Sequence, residues 1–355
     1  MKKSTIRNNM SVPKLRDSNM ELLRIIAMLS VMIIHANFRA LPMPDTDIIE
    51  TSPLISFFRF LIQSVCVIAV NVFVLISGWY GIKLKVLKLS ELLFQVLFFG
   101  VVCIVAYLII AGTLPTDIFK TLFMLQGDNY WFVKAYIALC ILSPVLNLFV
   151  DQSTKEVFKL ILILYFAFLF IYAWISDGAE WMEGGYSLSS FIGLYLLARY
   201  VRIYRPRWSR YKLVVDLTAF CLLALTVTVS VFVLRKYSGL GGVFYKYSSP
   251  TTILLSMSCL LYFSKLSLKN RFINWVAISS LSVYLTHNSS FLRDYYDTTI
   301  SNWYYELPIA SFVFKTALLI FVIYATSVLL DKIRILIWRT LLQKVSFLQE
   351  DKPQP

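Results

Sequence analysis

Charge is scarce in this chain of 355 residues, in which only 15% are charged and 58% are hydrophobic. A soluble domain needs more polar surface, so this composition excludes an ordinary soluble protein. Histidine is scarcer still: the only two, His35 and His287, both lie inside long apolar stretches. The five cysteines fall singly in separate apolar stretches, and this spacing supports neither a metal site nor a disulfide framework. P-loop, dinucleotide-binding glycine and Gly-x-Ser-x-Gly motifs are also missing from the sequence.

Long hydrophobic runs fill most of the chain. Ten segments, of roughly 17 to 30 residues, are long enough to cross a bilayer as helices. They are Met20–Leu41, Leu54–Ser77, Leu89–Ala111, Tyr130–Val150, Val157–Ile175, Tyr186–Tyr204, Leu213–Leu234, Pro250–Leu266, Ile273–Leu292 and Pro308–Ile337. The sequence therefore predicts an all-α, multi-pass integral membrane protein. A cytoplasmic tail (1–18) is expected to precede a ten-helix transmembrane domain (19–340), and a second cytoplasmic tail (341–355) to follow it.

The basic residues indicate the orientation of these helices. Most Lys and Arg residues cluster at one set of membrane ends, and such clusters mark the cytoplasmic side. Both termini are thus predicted to be cytoplasmic, and the net charge of +14 reflects topology rather than a nucleic-acid partner. One predicted external loop departs from the rule, because it carries Arg235, Lys236 and Lys246.

The first predicted helix places an arginine and a histidine on one face. Arg24 and His35 are eleven positions apart, which brings a helix back to within about 20° of its starting face. Their separation along the axis is then roughly 16 Å at 1.5 Å per residue. Ionisable groups in a membrane span are costly, so an aligned pair indicates a functional site. Glu21, one turn before Arg24, can pair with it, either as a boundary salt bridge or as part of a substrate site.

The second histidine is predicted to lie at the depth of the first. Helices one and nine run in the same direction, and both histidines fall about four turns from the cytoplasmic end. Desolvation keeps His35 neutral, which makes it a plausible general base for a hydroxyl. His287 has Tyr284 and Asn288 as polar neighbours. It can orient substrate, relay a proton or only bind a neighbouring helix.

Two basic clusters are predicted to face the cytoplasm. Lys83, Lys85 and Lys88 follow the second helix, and Arg199 and Arg202 end the sixth. Side chains of this kind hold the phosphates of a nucleotide cofactor, but they also serve topology and contacts with lipid headgroups.

Three further candidates lie in the second and fourth helices. Asn71 is a polar residue deep in the second span. Trp131 and Lys134 open the fourth span, where they fit either an aromatic belt with a snorkelling lysine or a surface for sugar rings. All three are candidates for substrate binding.

These motifs together resemble the membrane acyltransferase-3 family over essentially the whole chain. The most specific element is Arg24 and His35 in SNMELLRIIAMLSVMIIHA. FVLISGWYGIKLK from Phe73, YWFVKAYIALCILSPVLN from Tyr130 and SVYLTHN from Ser282 support it in order and spacing. Some relatives carry an arginine pair after the second helix, where this chain has Lys83 and Lys85.

The resemblance implies a function. Such proteins typically take an acyl group, most often acetyl, from cytoplasmic acyl-CoA and deliver it to hydroxyls of extracytoplasmic glycans. Arg24 would then hold or polarise the donor, and His35 would be the central catalytic residue, as a base or as a transiently acylated group. Acetyl-CoA is expected as co-substrate without a metal. A bacterial plasma membrane, its lipids and a cell-surface polysaccharide or lipid-linked precursor are the expected setting.

Three alternatives remain open from the sequence. A polymerase or ligase of lipid-linked glycans also has many spans, but it should need larger external loops. A proton-coupled transporter would use Arg24, His35 and His287 as a proton relay, although the internal repeat common in transporters is missing. A membrane-bound O-acyltransferase of another fold would share the reaction class.

Overall fold

The computed structural model describes residues 17–124, 130–175 and 183–350, and within these ranges the chain forms helices and no strand. The first eight α-helices are α1 (Ser18–Ile34), α2 (Thr46–Thr51), α3 (Pro53–Cys66), α4 (Ala69–Tyr80), α5 (Val86–Ala111), α6 (Ile118–Leu122), α7 (Trp131–Gln152) and α8 (Lys155–Phe168). The others are α9 (Leu188–Tyr204), α10 (Leu213–Ser238), α11 (Pro250–Lys265), α12 (Arg271–Ala277), α13 (Ser280–His287), α14 (Ser290–Glu306) and α15 (Ile309–Glu350).

Six helical segments among the described residues are long and apolar enough to cross a membrane. They are Ser18–Arg39, Pro53–Tyr80, Val86–Ala111, Trp131–Gln152, Leu213–Ser238 and Ile309–Gln343. The prediction of an all-helical protein with several membrane-spanning helices is confirmed. The other predicted spans coincide with shorter or interrupted helices, so the number ten stays a prediction, as do the cytoplasmic termini. The first sixteen and last five residues of the predicted tails lie outside the described residues.

The first helix is the centre of the bundle and ends in an unusual turn. α1 packs against α3, α4, α11, α12, α13 and α15. It continues into one π-helical turn, His35–Arg39, closed by a hydrogen bond from the Ala40 amide to the His35 carbonyl. Turns of this type are rare and are frequently found at functional sites. This one places the side chain of Arg39 beside that of His35.

The predicted ninth span, Ile273–Leu292, is not one continuous helix. It breaks at Ile278 and Ser279, where α12 gives way to α13. The Ser282 hydroxyl donates to the carbonyls of Ser279 and Ser327, and such bonds compete with the regular helical ladder. The chain then turns at Asn288 into α14, over a segment that the sequence assigned mostly to a loop. This turn brings the start of α14 next to His287.

A glycine allows α4 and α9 to pack closely. A Cβ atom on Gly78 would lie 2.4 Å from the Tyr195 carbonyl oxygen and 2.9 Å from the Ala198 Cβ. Because backbone cannot yield as a flexible side chain does, we expect Gly78→Ala to lower the free energy of unfolding by about 1–3 kcal/mol. Thermal unfolding in detergent measures the change. Gly242→Ala is the matched control, since a Cβ there meets no atom within 4 Å. Equal midpoints for the two variants would contradict this packing.

Candidate active site

The two histidines lie against each other. His35 Nδ1 is 2.9 Å from His287 Nε2, and the rings stack with centroids 5.1 Å apart. His287 is fully buried and meets the Tyr296 ring edge-on at 4.5 Å, whereas His35 is half-buried. The two histidines that the sequence predicts to lie at one depth are thus in direct contact. The pair forms where the π-helical turn of the first helix meets the end of α13.

A guanidinium group completes this cluster. Arg39 Nη1 lies 2.8 Å from His35 Nδ1 and donates to Asn288 Oδ1 at 3.0 Å. Its Nε and Nη2 bind the Asp297 carboxylate over 2.8–3.0 Å. Asp297 therefore holds the arginine and balances its charge, and Arg39 connects both histidines to α14. We call His35, His287, Arg39, Asn288 and Asp297 the histidine cluster.

Sequence reasoning missed two members of this cluster. Arg39 follows His35 by four positions, which is one turn of a helix, and that spacing could have identified it. Asp297 gave no comparable signal, because its segment was assigned to an external loop. Only its contact with Arg39 across the fold reveals its place.

A cavity of about 780 Å³ adjoins the histidine cluster. His35 and Arg39 line one side, together with the predicted residues Tyr284 and Asn288. Trp131 lines it too, as the sequence predicted for a substrate-binding residue. A cleft of this size is typical of small-molecule sites, which are mostly apolar with a few converging polar groups.

Aromatic rings form one wall of this cavity. Trp131 stacks with Tyr247 at 6.0 Å and meets Tyr186 at 4.7 Å. The buried Asn71 donates to the Tyr247 carbonyl at 3.0 Å, so Asn71 fixes this wall and is not among the residues that line the cavity. Burial raises the pKa of the Tyr247 phenol well above its ordinary value, which keeps the hydroxyl protonated. Lys134 is exposed and is not among the lining residues either.

A second set of rings also borders the cavity. Phe73 and Phe132 line the cavity, with ring centroids 5.9 Å apart, and Phe132 stacks on Tyr136 at 5.8 Å. Tyr136 is hydrogen-bonded to the Ser77 hydroxyl at 3.1 Å. We call these four residues the aromatic floor. The described lining of the cavity reaches Met28 on α1, one turn short of Arg24.

Arg24 lies beyond the aromatic floor rather than in the cavity. Its Nη1 binds Glu21 at 2.9 Å, which confirms the predicted pair, and Arg24 is not among the residues that line the cavity. Arg24 and His35 therefore share one continuous helix. The rings of the aromatic floor, which belong to other helices, lie at a height between the two side chains.

A smaller polar pocket, of about 260 Å³, lies past Arg24 at the predicted cytoplasmic end. Arg202 and Lys269 line it, and Arg202 also covers the Trp79 ring at 4.9 Å. Asp17 in the same pocket accepts a hydrogen bond from Tyr80. We call this the cytoplasmic pocket.

The other predicted phosphate-binding residues do not line the cytoplasmic pocket. Lys83, Lys85 and Lys88 are exposed, and Lys88 pairs with Glu91 at 2.7 Å. The Arg199 guanidinium lies against Gly81, at 2.9 Å from where a Cβ would be. Of the five, Arg202 is the one that lines the cytoplasmic pocket.

The comparisons with known proteins identify the family of this chain. The family model described as an acyltransferase domain, the acyltransferase-3 domain, matches residues 17–330. Neither the curated proteins nor the solved structures gave a significant match. The matched range contains both histidines, the cavity and the cytoplasmic pocket.

Proposed function

Since the chain belongs to the acyltransferase-3 family of membrane proteins, we propose that it transfers an acetyl group from cytoplasmic acetyl-CoA to a hydroxyl of a cell-surface glycan. The acceptor is an extracytoplasmic polysaccharide or its lipid-linked precursor. The proposal depends above all on one observation: His35, oriented by His287 and Arg39, lines a cavity whose opposite wall is aromatic. Sugar rings stack on such walls, and a neutral imidazole accepts a hydroxyl proton.

The contacts of His35 suggest how it works as the base. His35 Nδ1 contacts His287 and Arg39, so Nε2 is the ring nitrogen that remains to take the proton of the acceptor hydroxyl. When Nδ1–H donates to His287 Nε2, the lone pair of His35 lies on Nε2, as a base requires. Arg39 favours the other tautomer, because a guanidinium only donates. Asp297 and Asn288 offer Arg39 alternative acceptors, which allows His287 to hold the productive form.

The acetyl transfer is a single attack of the acceptor hydroxyl on the thioester. His35 Nε2 takes the proton from the acceptor hydroxyl while its oxygen attacks the thioester carbonyl carbon. Arg39 stabilises the negative charge that develops on the carbonyl oxygen. The carbon–sulfur bond breaks, and the coenzyme A thiolate receives the proton from His35. Neither a metal nor a bound cofactor is required in this scheme, because the thioester supplies the activated group.

The donor approaches from the opposite side. Its phosphates bind at the cytoplasmic pocket near Arg202 and Lys269, and the pantetheine arm passes Arg24 and the aromatic floor. The rise of α1 between Arg24 and His35, roughly 16 Å, suits an extended arm of this kind. Arg24 and Glu21 then act on the donor rather than at the reacting carbon.

Arg202→Gln tests this donor site. We expect a rise of about tenfold in the KM for acetyl-CoA, because a charge-assisted bond to phosphate is lost, with the acceptor KM unchanged. Initial rates at varied acetyl-CoA in proteoliposomes measure it. Lys88→Gln is the matched control, since Lys88 is exposed and away from the pocket. Equal donor KM values in both variants would remove Arg202 from the donor site.

Reconstitution tests the function itself. Purified protein in proteoliposomes is given acetyl-CoA labelled in the acetyl group on one face and a panel of surface glycans on the other. We expect ester-linked label in a glycan. Label retained on acid-quenched protein identifies an acyl-histidine step and opposes direct attack. Substrate counter-flow without ester formation, or growth of glycan length without label, overturns the proposal in favour of a transporter or a polymerase.

A further inference from the structure

The cavity beside the histidine cluster has an uneven charge. Among the described residues that line it, the charged side chains are Arg39, Lys246 and Arg293, and none is a carboxylate. Asp297 balances Arg39 from behind the cavity wall, through the bonds already described. A site with this pattern favours an anionic ligand.

Lys246 comes from the predicted external loop that departs from the usual distribution of basic residues. The three cations of this loop have different surroundings. Arg235 donates to the carbonyls of Pro44 and Gly239, and Lys236 lies over the Tyr237 ring at 5.5 Å. Of the three, Lys246 is the one on the cavity wall. Lys246 is therefore a cation that a ligand in the cavity can reach.

The segment that carries Lys246 is held in place. Its neighbour Tyr247 donates its amide hydrogen to the Gly184 carbonyl at 2.8 Å, and its carbonyl accepts from Asn71 at 3.0 Å. Gly185 packs so closely that a Cβ there would lie 2.7 Å from the Ser248 amide nitrogen. Lys246 is thereby presented next to the aromatic wall from a fixed backbone.

Arg293 reaches the cavity from a different element. It lies in the first turn of α14, where its amide donates to the Ser289 carbonyl at 2.8 Å. Arg293 lines the same cavity as His35 and Arg39. Two separate segments thus contribute a cation each to the same cavity.

We infer that Lys246 and Arg293 select an acceptor glycan that carries a negative charge close to the hydroxyl to be acylated. This inference rests on the proposed function and names the substrate class of that site. The anion is the carboxylate of a sugar acid or the phosphate of a glycan phosphodiester, since both accept charge-assisted hydrogen bonds from lysine and arginine. The aromatic wall, with Trp131 and Tyr247, stacks on the sugar ring and holds the hydroxyl towards His35.

The test compares three acceptors in proteoliposomes: a uronic-acid oligosaccharide, a phosphodiester-linked glycan and a neutral oligosaccharide of equal length. We expect wild-type kcat/KM for at least one anionic acceptor to exceed that for the neutral one by tenfold or more. The arm with the higher value identifies the anion. Lys246→Gln and Arg293→Gln should each reduce this preference about tenfold through KM, leaving the donor KM unchanged.

Lys236→Gln provides the matched control, because it removes a cation of the same loop that lies off the cavity. The Lys236→Gln variant should keep the wild-type preference for anionic over neutral acceptors. Equal kcat/KM for all three acceptors in an active wild type overturns the inference while leaving the acyltransferase intact. A change in the donor KM in place of the acceptor KM also overturns it. Failure of the wild type to acylate any glycan refutes the proposed function instead.

Discussion

His35→Ala is expected to lower acetyl transfer in proteoliposomes by about 10²–10⁴-fold, the usual contribution of a general base. The loss follows from the place of His35, which is the histidine that lines the cavity, while His287 is fully buried behind it. Binding of donor and acceptor should persist, because Arg202 and the aromatic wall are untouched. The measurement is kcat for labelled acetyl transfer at saturating substrates.

Two controls separate chemistry from folding in this variant. The midpoint of thermal unfolding should change little, because His35 is only half-buried. Free imidazole added to the glycan side should restore part of the rate, because the cavity left by the side chain can admit it. A variant that keeps more than a tenth of the wild-type kcat would mean that another group takes the proton.

Arg39→Gln has the second largest expected effect, a loss of about 10²–10³-fold in kcat. The guanidinium is the cation nearest to His35 Nδ1, and it is the group proposed to stabilise the developing oxyanion. Its removal also leaves the Asp297 carboxylate without its bidentate partner, which costs stability as well. Rate and unfolding midpoint are therefore both expected to fall.

A double-variant cycle distinguishes the two losses. Asp297→Asn removes the stranded charge, so Arg39→Gln combined with Asp297→Asn should recover part of the unfolding midpoint. It should not recover kcat, because the cation remains missing. Recovery of both quantities would show that Arg39 acts only as a structural partner of Asp297 and takes no part in the reaction.

The sequence was sufficient to predict the class of fold and three residues of the histidine cluster, His35, His287 and Asn288. Spans of apolar residues predict helices because a bilayer leaves the backbone few alternatives. The same constraint predicts that His35 and His287 share a depth, since both positions can be counted from the ends of helices that run in one direction. Their direct contact, at 2.9 Å, is closer than counting could establish.

The features of the site that the sequence did not predict lie where regular α-helices end. The spacing of His35 and Arg39 could be read from the sequence, but the π-helical turn that holds them could not, because hydrophobic periodicity carries no signal for such a turn. The break at Ser279 and the helix after Asn288 bring Asp297 to Arg39, and Arg293 to the cavity, from a segment with few apolar residues. Lys83 and Lys85 are exposed and do not line the cytoplasmic pocket, so their role in phosphate binding stays a prediction.

The aromatic floor also bears on the energy balance of the cell. The floor joins the cavity lining, at Phe73 and Phe132, to Tyr136 and Ser77. In the proposed reaction, an extended thioester would have to part these rings and let them close behind it. A membrane that stores a proton gradient tolerates passage of an acetyl group only if water and ions do not follow. Rings that reseal after every turnover would insulate the two compartments, and variants that thin this layer should make proteoliposomes leaky to protons.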